Sequence, residues 1–219
     1  MLPSHFSSQS FLNIFFSLCI CLITACSAEK PKKKLVIKPL ITEEVVIKPK
    51  PTLKKDERYL PVWLSIDTKK KRLEVKRGDH VLATFNKISI GRRGAGFKKR
   101  QGDKVTPIGT YKIGWINYKS KFKIFYGFTY PSIENAKTAL KRNMITSSTY
   151  RTIEVAHKNN KIPPQNTRLG GRIGLHGLGE GNEDVHKFWD WTKGCIAVTN
   201  QQIDELASWI IKGMMVKVK

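Results

Sequence analysis

Two short segments, residues 170–177 (GGRIGLHG) and residues 191–200 (WTKGCIAVTN), decide how this sequence is interpreted. The first places His176 among closely spaced glycines, and the second contains Cys195, the only cysteine after residue 26. A thiol and an imidazole are the groups of a Cys–His nucleophilic site, in which the imidazole takes the thiol proton. The two residues are 19 positions apart (195 − 176), so the fold has to bring them together.

The neighbouring glycines support this interpretation. Gly194 removes a side chain directly before Cys195, where the backbone would approach a substrate closely. The backbone N–H groups of Lys193, Gly194 and Cys195 are then expected to face a developing oxyanion. On these residues alone the ordinary interpretation stays open: a buried cysteine that packs as a small apolar residue, and a histidine that only donates structural hydrogen bonds.

The N-terminal residues predict export. The apolar run at residues 11–25 is shorter than the ~20 residues that span a bilayer, which favours a signal segment. It ends in ITAC at residues 23–26, which resembles the lipobox of bacterial lipoproteins and predicts that Cys26 carries a lipid. We therefore expect a signal and lipoprotein segment at residues 1–26. Cleavage after Ala28 with secretion and a permanent membrane anchor are the alternatives.

The cysteine count adds an argument for chemistry at Cys195. Cys19 and Cys21 would leave with the signal, and a lipidated Cys26 has no thiol. Cys195 is then a lone thiol in an oxidising compartment, where structural cysteines normally pair. An unpaired exported cysteine favours a role for the thiol itself.

The remaining sequence divides into a linker at residues 27–60 and one domain at residues 61–219. The linker is basic, contains prolines at 31, 39, 49 and 51, and repeats VIKP at 36–39 and 46–49. Such a composition favours an extended tether, and a connector with no other role is equally compatible. The domain is long enough to bury a core.

The pattern of the domain predicts a mostly β fold with a few helices, class α+β. Helices are expected shortly after Pro131, less clearly within residues 144–157, and after an N-cap at Thr199 or Asn200, with a stop at Gly213. Loops are expected at residues 91–102 and 178–191. Strands are expected at residues 62–67, 72–76, 81–90, 109–116, 122–129, 172–176 and 214–218.

The spacing of the two motifs resembles that of a known family. His176 is followed by 15 residues (177 to 191) and then by Thr-Lys-Gly-Cys-Ile at 192–196, with Asn200 beyond. This resembles the signature of the YkuD-type L,D-transpeptidase catalytic domain, also called the ErfK/YbiS/YcfS/YnhG family. Lys193 and Ala197 replace the His and Arg common there, which is typical of the YafK-like branch.

The resemblance implies a YkuD-like β-sandwich or barrel and a peptidoglycan L,D-transpeptidase. Cys195 would attack the L,D bond after a meso-diaminopimelate-type residue of a stem tetrapeptide, with His176 as general base and later acid. D-Ala would leave, and an amine of a second stem peptide or envelope protein would take the acyl group without a cofactor. Gly177 would orient His176. Residues implied to line or orient the site are Thr192, Trp191, Arg172 and Asn200.

Two other functions stay open from the sequence. If water takes the acyl group, the same site is an L,D-carboxypeptidase or an amidase-like hydrolase. A non-catalytic envelope-binding lipoprotein would keep the fold without the chemistry. The departures at Lys193 and Ala197 keep the hydrolase open.

The net charge limits the kinds of partner that the protein is expected to bind. The formal net charge is +23, and residues 29–60 hold ten basic and five acidic residues, which leaves +18 on the domain. No nucleic-acid motif accompanies this charge, so we expect carboxylates of the envelope as partners and a membrane contact through the lipid. The location expected is the cell envelope or periplasm. His157, His176, His186 and Cys195 match no zinc spacing, so no metal is expected.

Overall fold

The computed structural model describes residues 58–219, so the predictions about the signal, Cys26 and most of the linker lie outside the described residues. This part of the chain contains ten strands and four helices. The strands are β1 Val62–Asp67, β2 Arg72–Arg77, β3 His80–Asn86, β4 Ala95–Gly96, β5 Thr106–Pro107, β6 Gly109–Ser120, β7 Lys123–Phe128, β8 Gly174–His176, β9 Ile196–Ala197 and β10 Met215–Val218. The helices are α1 Ile133–Lys141, α2 Ser147–Lys158, α3 Glu183–Phe188 and α4 Asn200–Ala207.

Eight of the strands form one mixed sheet in the order β3-β2-β1-β10-β6-β7-β8-β9, and β4 pairs with β5. The pairs β1–β10 and β8–β9 are parallel, and the other pairs of this sheet are antiparallel. Ser89, three residues after β3, also bridges Ala197 of β9, so the two edges of the sheet meet. The predicted mostly β fold with a few helices is therefore confirmed.

Alternation along the strands explains the core. Leu64 and Ile66 of β1 and Val216 and Val218 of β10 point to the same side and are buried. Each such side chain contributes about 1.5–3 kcal/mol when it leaves water. Because β10 lies between β1 and β6, the C-terminal strand holds the middle of the sheet.

The helices begin at side-chain caps. Ser132 and Asn135 form a capping box at the start of α1, and Thr199 and Gln202 form one at α4. Each box satisfies backbone N–H groups that the first helical turn leaves without a partner. The predicted helix after Pro131 and the predicted cap at Thr199 are confirmed. Among residues 58–219, no helix has the length and apolar character needed to cross a membrane.

Two predictions for the C-terminal part were wrong, one of a helix end and one of a loop. Helix α4 ends at Ala207, not near Gly213, because Gly213 already belongs to the turn into β10 and donates its N–H to Ile113. Residues 178–191 are not all loop, since they contain α3, whose N-cap Asn182 accepts from the N–H of Val185.

The third predicted strand is shorter than expected. The strand β3 ends at Asn86, because Lys87 takes a left-handed conformation with φ of 60°. Beyond it, Ile88 donates its N–H to the carbonyl of Lys71, and Ser89 pairs with Ala197 of β9.

Candidate active site

The sheet register brings His176 and Cys195 to one face. His176 of β8 is paired with Phe125 of β7 on one side and with Ala197 of β9 on the other. Paired residues of neighbouring strands point to the same face of a sheet. Cys195 precedes Ala197 by two positions, so strand alternation places its side chain on the face that carries His176.

Two glycines form the floor of this face. Gly127 is paired with Trp115, and a Cβ at Gly127 would lie 2.1 Å from the Trp115 ring. A Cβ at Gly174 would lie 2.3 Å from the carbonyl oxygen of Tyr126 and 2.8 Å from the ring of Phe125. The missing side chains leave the space in which the aromatic rings of this face lie.

The imidazole of His176 is enclosed by aromatic rings and is only 2% exposed. The ring centroid of Phe122 lies 4.2 Å from it in a stacked arrangement, and Trp191 meets it edge-on at 5.8 Å. His176 Nδ1 lies 2.6 Å from the carbonyl oxygen of Gly177. Since a carbonyl can only accept, Nδ1 carries the proton and Nε2 is left as the acceptor, the form that a general base needs.

Burial also sets the charge of His176. Loss of water around the ring lowers its pKa to about 4, against the opposing effect of the Gly177 hydrogen bond. The imidazole is therefore neutral at neutral pH and able to take a proton.

Asn200 fixes the turn that follows His176. Its Oδ1 accepts from the N–H groups of Leu178 and Gly179, each at 2.9 Å, and its Nδ2 donates to the carbonyl of Gly179 at 2.7 Å. A Cβ at Gly177 would lie 2.9 Å from Asn200 Oδ1. Asn200 thus holds the segment that contains Gly177, whose carbonyl orients the imidazole of His176. Asn200 therefore acts on His176 indirectly.

Cys195 is partly exposed, and its thiol donates to the carbonyl of Arg172 over 3.4 Å. Protein atoms packed around the sulfur raise the pKa of the thiol to about 11, opposed by a backbone hydrogen bond from Gly174 and by the charge of Lys98. The resting site therefore holds a protonated thiol and a neutral imidazole.

The turn before Cys195 is held by Thr192. The buried hydroxyl of Thr192 accepts from the N–H of Gly194 at 3.1 Å and donates to the carbonyl of Cys195 at 2.7 Å. Gly194 has a φ of 132°, and a Cβ there would lie 2.8 Å from the carbonyl oxygen of Val105. Because the Gly194 N–H already donates to Thr192, it is removed from the expected oxyanion donors. The N–H groups of Lys193 and Cys195 remain as candidates.

The loop at residues 91–102 is tied to the protein. The ammonium group of Lys98 is buried and forms an ion pair with Asp103. Burial raises the pKa of Asp103, but hydrogen bonds from Lys98 and from the N–H groups of Val105, Arg100 and Lys99 outweigh this and leave it below its usual value. The segment expected to be a loop is therefore anchored by a buried ion pair and is not solvated throughout.

A cleft of about 720 Å³ opens beside Cys195. Its charged lining residues are Lys119, Lys121 and Arg172, with no acid among the residues that line it. The cleft therefore favours a ligand with carboxylates. The other lining residues are Trp115, Asn117, Ser120, Phe122, Phe125, Ile162 and Gln165.

The sequence pointed to Trp191 at the site, but not to Phe122 and Phe125 or to a positioning glutamine. Gln165 Oε1 accepts from the N–H of Arg172 at 2.6 Å and holds Arg172 at a φ of 54°. Nothing in the sequence around Gln165 signals this contact. Phe122 and Phe125 lie in a segment that the sequence marks as an aromatic-rich strand, so their pattern was visible although their role was not.

His186 appeared in the sequence only as a rejected metal ligand. It is buried, with Nδ1 at 3.0 Å from the hydroxyl of Ser89, and Trp191 donates its indole N–H to the same nitrogen at 3.4 Å. It therefore supports the indole that lies against His176. Within residues 58–219, no three His, Cys, Asp or Glu side chains are grouped as a metal site would require.

A family model described as the L,D-transpeptidase catalytic domain (YkuD) matches residues 61–218. The chain therefore belongs to the YkuD family of L,D-transpeptidase catalytic domains, whose members act on peptidoglycan. No curated protein matches the chain.

Similar solved structures include the helical cell shape determining protein Pgp2 of Campylobacter jejuni, at 21% identity and a TM-score of 0.48, covering 73% of this chain and 47% of that one. Bd1075 of Bdellovibrio bacteriovorus is 17% identical with a TM-score of 0.46, covering 76% and 50%. An L,D-transpeptidase of Xylanimonas cellulosilytica is 13% identical with a TM-score of 0.41, covering 78% and 64%. The chain thus spans less than two thirds of the length of each.

Proposed function

We propose that the protein is a cysteine acyltransferase that cleaves the L,D bond of peptidoglycan stem tetrapeptides and passes the acyl group to an amine. The single observation that supports this is the shared sheet face: strand register and alternation put His176, whose Nε2 is left as an acceptor, on the same face as Cys195. Membership in the L,D-transpeptidase family supports this choice of bond.

The first half-reaction forms a thioester. The Cys195 thiol proton goes to His176 Nε2 as the sulfur bonds to the carbonyl carbon of the third stem residue. The N–H groups of Lys193 and Cys195 face the oxyanion. The carbon–nitrogen bond then breaks, and the amine of D-Ala leaves with the proton that His176 held.

The second half-reaction transfers the acyl group. An acceptor amine attacks the thioester carbonyl, His176 takes a proton from that amine, and the carbon–sulfur bond breaks. The proton returns to the sulfur, so the enzyme is restored and no cofactor is consumed. If water attacks instead, the product is a tripeptide and the enzyme is an L,D-carboxypeptidase.

The pKa values favour proton transfer that accompanies attack. A thiol with a pKa near 11 and an imidazole with a pKa near 4 do not form a resting ion pair. The proton leaves the sulfur of Cys195 only as the sulfur–carbon bond forms. The new bond removes the negative charge that a buried thiolate would otherwise carry. The bound substrate thus activates the nucleophile.

We place the protein in the cell envelope, with a lipid on Cys26 and residues 27–60 as a tether. Peptidoglycan as the substrate of the family supports export. Lys193 and Ala197 support assignment to the YafK-like branch.

The test is mass spectrometry of purified tetrapeptide muropeptides incubated with the full chain, beside a Cys195→Ala variant. Cross-linked dimers, or amine adducts with loss of D-Ala, in the wild type alone are the expected result. Tripeptides without dimers would establish the carboxypeptidase instead. Equal products with both proteins would exclude catalysis by Cys195, and no products with either would favour the non-catalytic binding protein.

A carbapenem provides an independent readout of the nucleophile. Its strained carbonyl should acylate Cys195 and add the mass of the drug to the wild type, with no addition to Cys195→Ala. An adduct of equal yield on both proteins would show that another residue reacts.

A further inference from the structure

A second groove, of about 630 Å³, lies between β6, the start of α1 and the segment that follows α2. Residues 110–114 of β6 all line it; of these, Thr110 and Lys112 are exposed, whereas Tyr111 and Ile113 are largely buried in the core. The groove therefore lies on the outward face of this strand.

The same face of β6 continues into the cleft beside Cys195. The register between β6 and β7 shifts between Ile113 and Trp115, so an extra residue, Gly114, lies in the strand at this point. A bulge changes the alternation and lets neighbouring residues point to the same side. Beyond it, Trp115 and Asn117 line the cleft.

Ile162 connects the two spaces. Its side chain is 42% exposed and lines both the groove and the cleft. A Cβ at Gly114 would lie 3.4 Å from Ile162 Cγ1, so the glycine keeps room between this side chain and the strand. The two spaces thus adjoin along β6, with Ile162 at their boundary.

The charges of the groove are unequal. Lys112, Lys161 and Lys212 line it, against one carboxylate, that of Glu134. Within residues 58–219, none of these four side chains forms an ion pair. Three free ammonium groups beside one carboxylate favour a ligand with more carboxylates than amines.

We propose that this groove binds the acceptor of the transfer reaction, a short peptide rich in carboxylates that carries a primary amine. This inference rests on the proposed function. The carboxylates pair with Lys112, Lys161 and Lys212, and the amine extends past Ile162 to the thioester on Cys195. There the nitrogen forms the new amide bond, and the sulfur leaves with the proton that His176 removed from the amine.

The other side chains of the groove select a peptide over a uniformly anionic polymer. Glu134 would repel a chain that carries negative charge along its whole length. Ile133, Ile162 and Met215 provide apolar surface suited to short side chains. A carboxylate-rich stem peptide meets both conditions.

Binding can be tested without catalysis. Full-length Cys195→Ala protein with labelled Ile and Met methyl groups would be titrated with a stem tripeptide, which keeps the amine and lacks the terminal D-Ala. We expect shifts at the Ile133 and Met215 methyl groups, which report on the groove alone. A shift at Ile162, which lines both spaces, without shifts at Ile133 and Met215 would overturn the proposal.

Charge reversal gives a matched comparison. Lys112→Glu, Lys161→Glu and Lys212→Glu together should weaken tripeptide binding by at least about tenfold, because three exposed ion pairs are lost and three like charges are introduced. The control reverses the same charge at exposed positions that do not line the groove or the cleft: Lys69→Glu, Lys70→Glu and Lys187→Glu. Equal weakening in both triple variants would show general attraction and overturn the proposal.

Product ratios separate this inference from the proposed function. With the tetrapeptide donor and added tripeptide, the groove variant should give about tenfold less cross-linked relative to hydrolysed product than the control, in line with the affinity change. If wild-type Cys195 is acylated but the ratio is equal in both variants, only the acceptor groove is wrong. If Cys195 is never acylated while the groove still binds tripeptide, only the proposed function is wrong.

Discussion

At the scale of the residue, the burial of His176 links stability to pH. Its pKa is lowered to about 4 by burial, whereas an unfolded imidazole titrates near its ordinary value of about 6.5. As pH falls from about 6.5 to about 4, the imidazole of His176 takes up a proton in the unfolded state but stays mostly neutral in the folded state. The free energy of unfolding should therefore fall by on the order of 3 kcal/mol across this window.

Urea denaturation at about pH 7 and about pH 4.5 measures this change. Burial also lowers the pKa of His186, so that residue contributes with the same sign. His176→Gln should be less sensitive to pH than the wild type, and the double variant with His186→Gln less sensitive again. The same pH dependence in all three proteins would refute the assignment of the effect to these imidazoles.

Gly194 and Gly213 separate backbone strain from steric clash. Both have positive φ, but a Cβ at Gly194 meets the carbonyl of Val105, whereas a Cβ at Gly213 meets nothing within 4 Å. Gly213→Ala should cost about 1–2 kcal/mol of unfolding free energy from left-handed strain alone. Gly194→Ala should cost more and displace Cys195, so that acylation by a carbapenem slows at least about tenfold.

Denaturant titration and the rate of adduct formation by mass spectrometry measure the two effects. Gly213→Ala is the control for positive φ, since it lies away from the thiol. Equal acylation rates in the two variants would show that the turn at Gly194 does not place the nucleophile.

Some residues of the candidate site could be predicted from the sequence and others could not. His176 and Cys195 could be predicted as site residues because a thiol and an imidazole among glycines form a local, recognisable pattern. Phe122 and Gln165 were not assigned, because their contacts join positions 54 and 7 residues apart (176 − 122 and 172 − 165) through strand register and a loop. Local sequence carries no signal for such pairings.

At the scale of the element, most strands could be predicted and helix α3 could not. Long alternating segments such as β6 carry their pattern in the sequence. Helix α3 has only six residues between Glu183 and Phe188, too few for an apolar period to be distinguished from a loop. The end of α4 was misplaced because Gly213 is a turn residue with a φ of 90°, which resembles a helix stop in sequence.

The buried ion pair of Lys98 and Asp103 anchors the loop between β3 and β5. Lys98→Met would leave the Asp103 carboxylate buried without its cation, which typically costs about 3–5 kcal/mol. We also expect a further rise in the pKa of Cys195, since the charge of Lys98 favours its thiolate. Chemical denaturation measures the first effect, and the pH dependence of thiol alkylation measures the second.

Lys99→Met is the matched control for this pair, because the neighbouring side chain is exposed. Its unfolding free energy should change by no more than about 0.5 kcal/mol. A loss of stability in Lys99→Met as large as that in Lys98→Met would contradict a specific role of the ion pair.

At the scale of the whole molecule, the sheet depends on a strand from the end of the described chain. Strand β10 pairs in parallel with β1 and antiparallel with β6, so it joins the β3-β2-β1 side to the β6-β7-β8-β9 side. Lys219 adds hydrogen bonds to Ile66 and Thr68. No local pattern reveals this arrangement, because a closing strand at the centre and one at an edge alternate in the same way.

Removal of residues 214–219 should therefore abolish cooperative folding, because it removes a central strand of the sheet and not an edge strand. The deletion would expose the inner faces of Leu64, Ile66 and Tyr111 together with the unpaired backbone of β1 and β6. The control variant, Met215→Thr with Lys217→Thr, keeps the backbone pairing and the buried Val216 and changes only exposed side chains. Circular dichroism and urea denaturation should show a cooperative transition in the control and none in the deletion. A cooperative transition in the deletion would mean that closure of the sheet through Ser89 and Ala197 suffices to hold its two sides together.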